Sequence, residues 1–369
     1  MVLALSGLAM GCTRTPATLI ELPQEESCRR TVVVGPPAEA LEALESDSLR
    51  QRASAELAVE WRLPPDSVDL AELNAWCAAV GPAVVGGWGD TASTQAARPV
   101  LDTLWLVSWN MRVGAGDLRA LVADLREGRL TRGAPAEHFV VVLQEAYRGG
   151  EYVPEHQPGA PAGSGIHGGP PEGAREDIVA LAERLGLWLV YVPSMRNGKE
   201  EDRGNAILST LPLSNPVAVA LPVARQRRVA VVTDVFGRTG AGRDWKLQVA
   251  SVHLESSPVG WTSDEEQRLE QADALLELLP EADAAIAAGD YNTKTRGREE
   301  ALVPMMEAAY PDTPPFPEEP TYRRAFGLYR AYLDYIFFRL PGPAAGDYRR
   351  VPRIYNSDHY PLVGWVAWE

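Results

Sequence analysis

The chain has 369 residues, 46% of them apolar, enough for one large domain plus an extension, or for two domains with a substantial core. It carries 50 acidic and 35 basic residues, for a net charge of −15. That balance makes the chain a poor candidate for passive binding to long nucleic acid, since phosphate affinity comes from Lys and Arg. It does not exclude an enzyme, in which a bound metal and a few local Arg supply the positive field.

Met1 to Gly11 is an apolar, small-residue run ending at Cys12. Leu8-Ala9-Met10-Gly11-Cys12 resembles a bacterial lipobox, whose Cys is lipidated after cleavage, with Ala9 where Leu is usual and no Lys or Arg ahead of the run. The other reading is a frayed terminus or a first core strand. The run is too short to span a bilayer, and no other segment approaches that length. The expectation is an exported, monomeric protein, lipid-anchored in a bacterial cell envelope and touching membrane only through that anchor. In an exported chain Cys28 and Cys77 can pair as a disulfide; otherwise they are two unrelated buried thiols.

Residues 13–100 are expected to form a helical extension and linker. Ala38 to Val59 and Val68 to Val80 read as helices, and Gly86 to Pro99 reads as a linker into a body spanning 101–369. In that body Leu104 to Ser108 is a short apolar run that leads to Trp109-Asn110. Phe139 to Leu143 leads to Gln144-Glu145. Residues 149–175, rich in Gly and Pro, then form a lid or a disordered insert at the pocket rim, with His156 and His167 as either ligands or solvated loop residues. Asp177 to Leu185 reads as an amphipathic helix and Trp188 to Val192 as a strand. Arg225, Arg227 and Arg228 precede a strand at Val229 to Val235, either offsetting acidity near the pocket or lying in a solvated loop. Leu247 to Ala250 leads into Ser251-Val252-His253-Leu254. Asp264 to Leu279 is the clearest helix, with a Ser263 N-cap and Pro280 beyond its end. Ala284 to Ala288 precedes Gly289-Asp290-Tyr291-Asn292, Leu333 to Phe338 contains Asp334, and Ser357-Asp358-His359 follows.

Apolar runs rich in β-branched and aromatic residues, bounded by turn residues, read as buried strands. Polar groups at their ends converge where a sheet ends. Asp, Glu, Asn and His brought together there make a hard-cation pocket with two bases. Its oxygen ligands suit Mg²⁺ or Mn²⁺ better than Zn²⁺.

The order and spacing of these segments resemble the endonuclease/exonuclease/phosphatase superfamily, over about residues 103–369. The group includes pancreatic deoxyribonuclease, abasic-site endonucleases, inositol polyphosphate 5-phosphatases and bacterial sphingomyelinases; the pancreatic nuclease is itself acidic. The resemblance implies an α+β fold, a four-layer sandwich of two packed mixed β-sheets flanked by helices. It implies that Glu145 is the primary metal ligand, with Asn110 beside it and Asp358 as a second carboxylate near the metal. Asp290 would orient or deprotonate the attacking water, and Asn292 would donate hydrogen bonds to the phosphate. His359 would act with Asp334, and His253 would bond a phosphate oxygen or protonate the leaving group. Asn110, Arg112 and Asn205 would meet the substrate, Asn205 from a mainly structural strand, Arg203 to Ser209.

These parts predict in-line attack of water on a phosphodiester, with no covalent enzyme intermediate. Nucleic acid is the first candidate substrate. An inositol phosphate or a phospholipid head group is the runner-up, and a catalytically silent surface protein is the reading from another class. Substrate choice resides in the loops around such a pocket rather than in the shared core.

Overall fold

Val140 to Leu143 has no polar residue on either side of the strand, and such a run is stable only where both faces of a sheet are covered. The computed structural model shows how. It describes residues 17–21, 30–44, 46–63, 67–89, 98–150, 152–155, 174–198, 200–256, 264–293, 300–324 and 327–369. The expectations for Met1 to Cys12, Cys28, His156, His167 and Ser263 lie outside the described residues.

The elements run in chain order. The first part holds β1 (Ala17–Glu21), β2 (Arg30–Val34), α1 (Pro36–Glu42), α2 (Asp47–Leu57), β3 (Glu60–Arg62), α3 (Ser67–Ala79) and β4 (Ala83–Gly87). The body opens with β5 (Thr103–Asn110), α4 (Leu118–Arg126), β6 (Phe139–Gly149), α5 (Ile178–Leu185), β7 (Trp188–Gly198) and β8 (Glu201–Ser209). It continues through β9 (Ser214–Ala220), β10 (Val229–Arg238), β11 (Asp244–His253), α6 (Asp264–Leu278), β12 (Ala285–Asp290) and α7 (Leu302–Ala309). It closes with β13 (Tyr322–Arg324), β14 (Tyr329–Ala331), β15 (Asp334–Arg339), β16 (Ala344–Arg350) and β17 (Leu362–Trp368).

Among the described residues, one mixed sheet has nine strands in the order β1-β2-β4-β7-β8-β6-β5-β17-β16, and a second has six, β15-β12-β11-β10-β9-β3. Their inner faces share one core: Leu104, Leu106, Val140, Val142 and Ile207 meet Val229, Val231, Leu247, Val249 and Ile286. Alternate residues of the same strands face outward. Val107, Val141 and Leu143 pack under Leu118, Leu121 and Leu125 of α4 and Ile178 and Leu181 of α5. Val232, Ala250 and Val252 pack under Leu275 of α6 and Leu302 and Met306 of α7. This is the expected four-layer α+β sandwich. Each buried Val or Leu contributes roughly 1.5–3 kcal/mol. At one end of the sandwich Trp245 of β11 stacks on Trp368 of β17, with ring centroids 3.9 Å apart and planes 8° from parallel.

The expectation of a helical extension with a linker is corrected. Residues 30–34 and 83–87 are strands, and β1, β2 and β4 extend the nine-stranded sheet while β3 extends the six-stranded one. Val32 and Val33 are fully buried, which explains their β-branched side chains. Gly86 and Gly87 end β4 rather than open a linker; the Trp188 ring lies where a Gly87 side chain would be. The helix expected over Ala38 to Val59 breaks into α1 and α2, and Val59 is buried, its N–H donating to Thr31 Oγ1 at 3.0 Å.

The first part is fastened to the body by buried polar contacts. Arg148 of β6 and Asp202 of β8 form a buried pair; Arg148 Nη1 donates to the Pro82 carbonyl at 2.7 Å, and Asp202 Oδ2 accepts the Gly81 N–H at 2.9 Å. Cys77 is disulfide-bonded.

Candidate active site

The six-stranded sheet presents three site residues in one row. In the β11–β12 and β12–β15 pairings, His253 lies opposite Asp290 and Asp290 opposite Asp334. Gly289 permits the close approach of β11, since a Cβ there would collide with the Val252 carbonyl. The nine-stranded sheet supplies the other wall. Asn110 ends β5 beside Gln144 of β6, and Glu145 follows. Glu145 is not beyond the strand end, as expected, but inside β6, at a bulge between Leu143 and Ala146 and with φ +54°. A bulge re-aims a side chain out of the regular alternation.

At the site a hydrogen bond joins the two sheets: Asn110 Nδ2 donates to Asp290 Oδ2 at 2.9 Å. The other Asp290 oxygen accepts the Asn292 N–H at 2.9 Å. Both histidines converge on the same carboxylate, with His253 Nε2 3.6 Å and His359 Nε2 3.7 Å from Asp290 Oδ2. His359 Nδ1 is 2.9 Å from Asp334 Oδ2, which confirms the expected Asp–His contact and orients the ring. The loop carrying His359 is tied in place: Ser357 Oγ donates to the Asn110 carbonyl at 2.7 Å, and Trp109 Nε1 donates to the His359 carbonyl at 3.1 Å. Tyr322, which the sequence reading did not single out, lies against the His359 ring at 4.8 Å.

Burial and charge divide the titrating groups. Burial, and next Arg228 and Arg203, hold His253 well below the ordinary histidine range, so it is neutral. Burial also pulls on His359, but Asp334, Asp290 and Asp358 overcome it and raise its pKa, so it is cationic. Burial raises Asp290, with His359 opposing and Asp334 adding to the rise. A buried carboxylate disfavoured as an anion is a group that a nearby cation relieves.

Asp290, Asp334 and His359 have ligand atoms within 4.8 Å of one another. Their polar atoms are already engaged, Asp334 with His359 Nδ1 and Asp290 with Asn110 and Asn292, which suits proton handling better than metal binding. Glu145 differs: Arg203 Nη1 lies 3.2 Å from it, and its side chain is 19% exposed toward the opening. Asp358, expected near the metal, is 30% exposed and 4.0 Å from Arg112 Nε, outside the buried trio. The carboxylate oxygens of Glu145 are of the hard type that a divalent cation such as Mg²⁺ takes, while Asn110 Oδ1 accepts the Arg112 N–H at 2.9 Å.

Arg112 is half-exposed at the rim, with φ +51°. Asn205 is buried, and its Nδ2 donates to the carbonyls of Val229 and Ser251 at 2.9 and 3.1 Å, tying β8 to the facing sheet. Asn292 Nδ2 donates to the Leu254 carbonyl at 2.9 Å. Arg227 and Arg228 do not lie in a solvated loop. Arg227 is buried over Trp61, and its Nη1 donates to Cys77 Sγ at 3.2 Å; Arg228 donates to Gln226 Oε1 and Ser256 Oγ and lies 3.8 Å from Glu255.

Comparisons with known proteins agree with this architecture. The profile of the Endonuclease/Exonuclease/phosphatase family matches residues 107–359. The crystal structure of an endonuclease/exonuclease/phosphatase from Beutenbergia cavernae is similar, with TM-score 0.50 and 20% identity over 73% of this chain and 72% of that one. A family protein from Leptotrichia buccalis has TM-score 0.46 and 13% identity over 72% and 99%. Beta toxin from Staphylococcus aureus has TM-score 0.46 and 17% identity over 71% and 99%. A search of curated proteins gave no match. The family profile covers well over half of the chain, and two packed sheets carry its acidic and histidine residues to one point, so this chain belongs to the endonuclease/exonuclease/phosphatase family of metal-dependent hydrolases of phosphate esters.

Proposed function

We propose that the site hydrolyses phosphodiester bonds of a nucleic-acid strand, with Mg²⁺ or Mn²⁺ held by Glu145, Asn110 beside it and Asp358 at the rim. When bound, the cation neutralises phosphate oxygens and stabilises the leaving oxyanion. Asp290 takes the proton of the attacking water. Its raised pKa suits a base working near neutral pH, and Asn110 and Asn292 hold both its oxygens. His359, kept cationic by Asp334, bonds the phosphate and stabilises charge beside Asp290. Neutral His253 donates to a second phosphate oxygen or to the leaving group. The observation that carries the reaction type is the convergence of two histidines on a single Asp290 oxygen.

Support for nucleic acid comes from the hairpin beside His359. Arg323, Arg324 and Arg330 of β13 and β14 are exposed and pair with no carboxylate among the described residues. Arg323 and Arg350 stack over Tyr360, and the Arg323 N–H bonds the Asp358 carbonyl. A basic, aromatic lip on a chain of net charge −15 suits a polyanion rather than a neutral head group. The test is a panel of plasmid DNA, RNA, abasic DNA, inositol phosphates and sphingomyelin, each with Mg²⁺, Mn²⁺ or chelator. Cleavage of DNA or RNA that weakens steeply with salt is expected. Turnover of sphingomyelin or inositol phosphate alone would replace the substrate assignment. Cleavage of none, with no activity on bis-p-nitrophenyl phosphate, would leave a silent binding protein.

A further inference from the structure

Glu145 has one polar partner among the described residues. Arg203 Nη1 meets Oε1 at 3.2 Å, while Oε2 takes no hydrogen bond from them. This is not a surface ion pair, since the Arg203 side chain is 7% exposed. Arg203 is fixed from behind: it sits on β8 in register with Tyr147 of β6 and Met195 of β7, and its Nη2 donates to Met195 Sδ at 3.0 Å. The residue before it, Asp202, belongs to the buried pair with Arg148. Glu145 stands in the left-handed backbone region at the bulge, a conformation that persists only where its surroundings hold it.

Two roles for such an Arg have opposite signs. A mere counterion competes with a cation for the carboxylate, so deleting it strengthens cation binding. A residue that fixes the carboxylate's direction keeps one oxygen aimed at the cation, so deleting it weakens binding. Contacts of this kind to ligating carboxylates are worth about 10–100-fold in metal affinity. We propose that Arg203 is a positioning residue: it holds Glu145 Oε1 so that Oε2 is presented to the divalent cation. The proposal rests on the reading that Glu145 holds the cation. The two contacts of the buried guanidinium, Glu145 at Nη1 and Met195 at Nη2, favour it over the counterion role, because a free counterion needs no second contact that fixes its direction.

The experiment is calorimetric titration of the full chain with Mn²⁺ and Mg²⁺, without substrate, for wild type, Arg203→Met, Arg203→Lys, Glu145→Gln and the Arg203→Met/Glu145→Gln double variant. Arg203→Met should weaken cation binding about 10–100-fold even though it removes a positive charge. Arg203→Lys should fall between, because an ammonium keeps the charge and loses the planar fork. The double variant should bind no more weakly than Glu145→Gln alone, since the effect of Arg203 on the cation passes through that carboxylate. With a phosphodiester substrate, the cation concentration for half-maximal activity should rise in Arg203→Lys while kcat at saturating cation returns close to wild type. Tighter or unchanged binding in Arg203→Met overturns the proposal. Should Arg203→Met lose its native circular dichroism, wild-type affinity in Arg203→Lys overturns it instead. Wild-type affinity in Glu145→Gln would remove the metal assignment itself and is a separate failure.

Discussion

The two sheets deliver their share of the site by different means. The six-stranded sheet places His253, Asp290 and Asp334 on neighbouring strands by backbone register, so their spacing is set by the ladder itself. The nine-stranded sheet delivers Glu145 through a bulge and a left-handed residue, held by an Arg from the next strand. Proton handling thus rests on strand pairing. Cation binding rests on a part whose geometry depends on side-chain contacts. Changes in the first should remove chemistry with the fold intact, and changes in the second should loosen binding, stability or both.

The sharpest way to break this contrast is Asp290→Asn. It removes the base, keeps the side chain's shape, puts an amide donor where one of two accepting oxygens met Asn110 or Asn292, and relieves a carboxylate that burial disfavours as an anion. A loss in kcat of about 10²–10⁴-fold is expected, with the fold intact by circular dichroism. A stable variant with wild-type turnover would show that Asp290 is not the base.

The nine-stranded sheet is tested by Arg148→Met. Asp202 would be left buried with only the Gly81 N–H and Tyr191 hydroxyl. Breaking a buried pair from one side costs about 3–5 kcal/mol. Chemical denaturation should show that loss, and residual activity should require more cation. Unchanged stability would mean that the first part of the chain is not held through this pair.

A finer measurement concerns His359 and Asp334. Groups that act as a unit are non-additive, so the double variant His359→Ala/Asp334→Asn should lose little more kcat/KM than either single one, whereas His253→Ala should add to both more nearly independently. In the cation-free protein, NMR should show His359 staying protonated above the ordinary histidine range. Asp334→Asn should bring its midpoint down, because burial, which favours the neutral ring, then meets less opposition. Additive losses, or an unmoved midpoint, would dissolve the pair.

Much of this was legible in the sequence, because strands covered on both faces announce themselves. Val140 to Leu143 and Ala284 to Ala288 are apolar throughout, and the polar residues at their ends mark where the sheets stop. The Asp334–His359 contact followed from motif order. Other features were hidden for definite reasons. Arg203 reads as part of a structural strand, and only three-dimensional pairing sets it on Glu145. Arg227 and Arg228 look like a solvated basic cluster until Trp61 of β3 and Cys77 of α3 meet the first and Glu255 and Ser256 meet the second. The strands at 30–34 and 83–87 are short, lie among helices and find their hydrogen-bonding partners far along the chain, so no local pattern distinguishes them from helix or linker.

The Trp245–Trp368 stack has a practical consequence. One ring comes from each sheet, and β11 runs from Trp245 to His253, which puts the stack roughly 26 Å from the catalytic end at about 3.3 Å per residue. Two indoles stacked at this distance are electronically coupled, so their near-ultraviolet absorption and emission change when the rings part. The molecule therefore carries its own optical gauge of sheet separation, readable without a label and far from any group that binds cation or substrate.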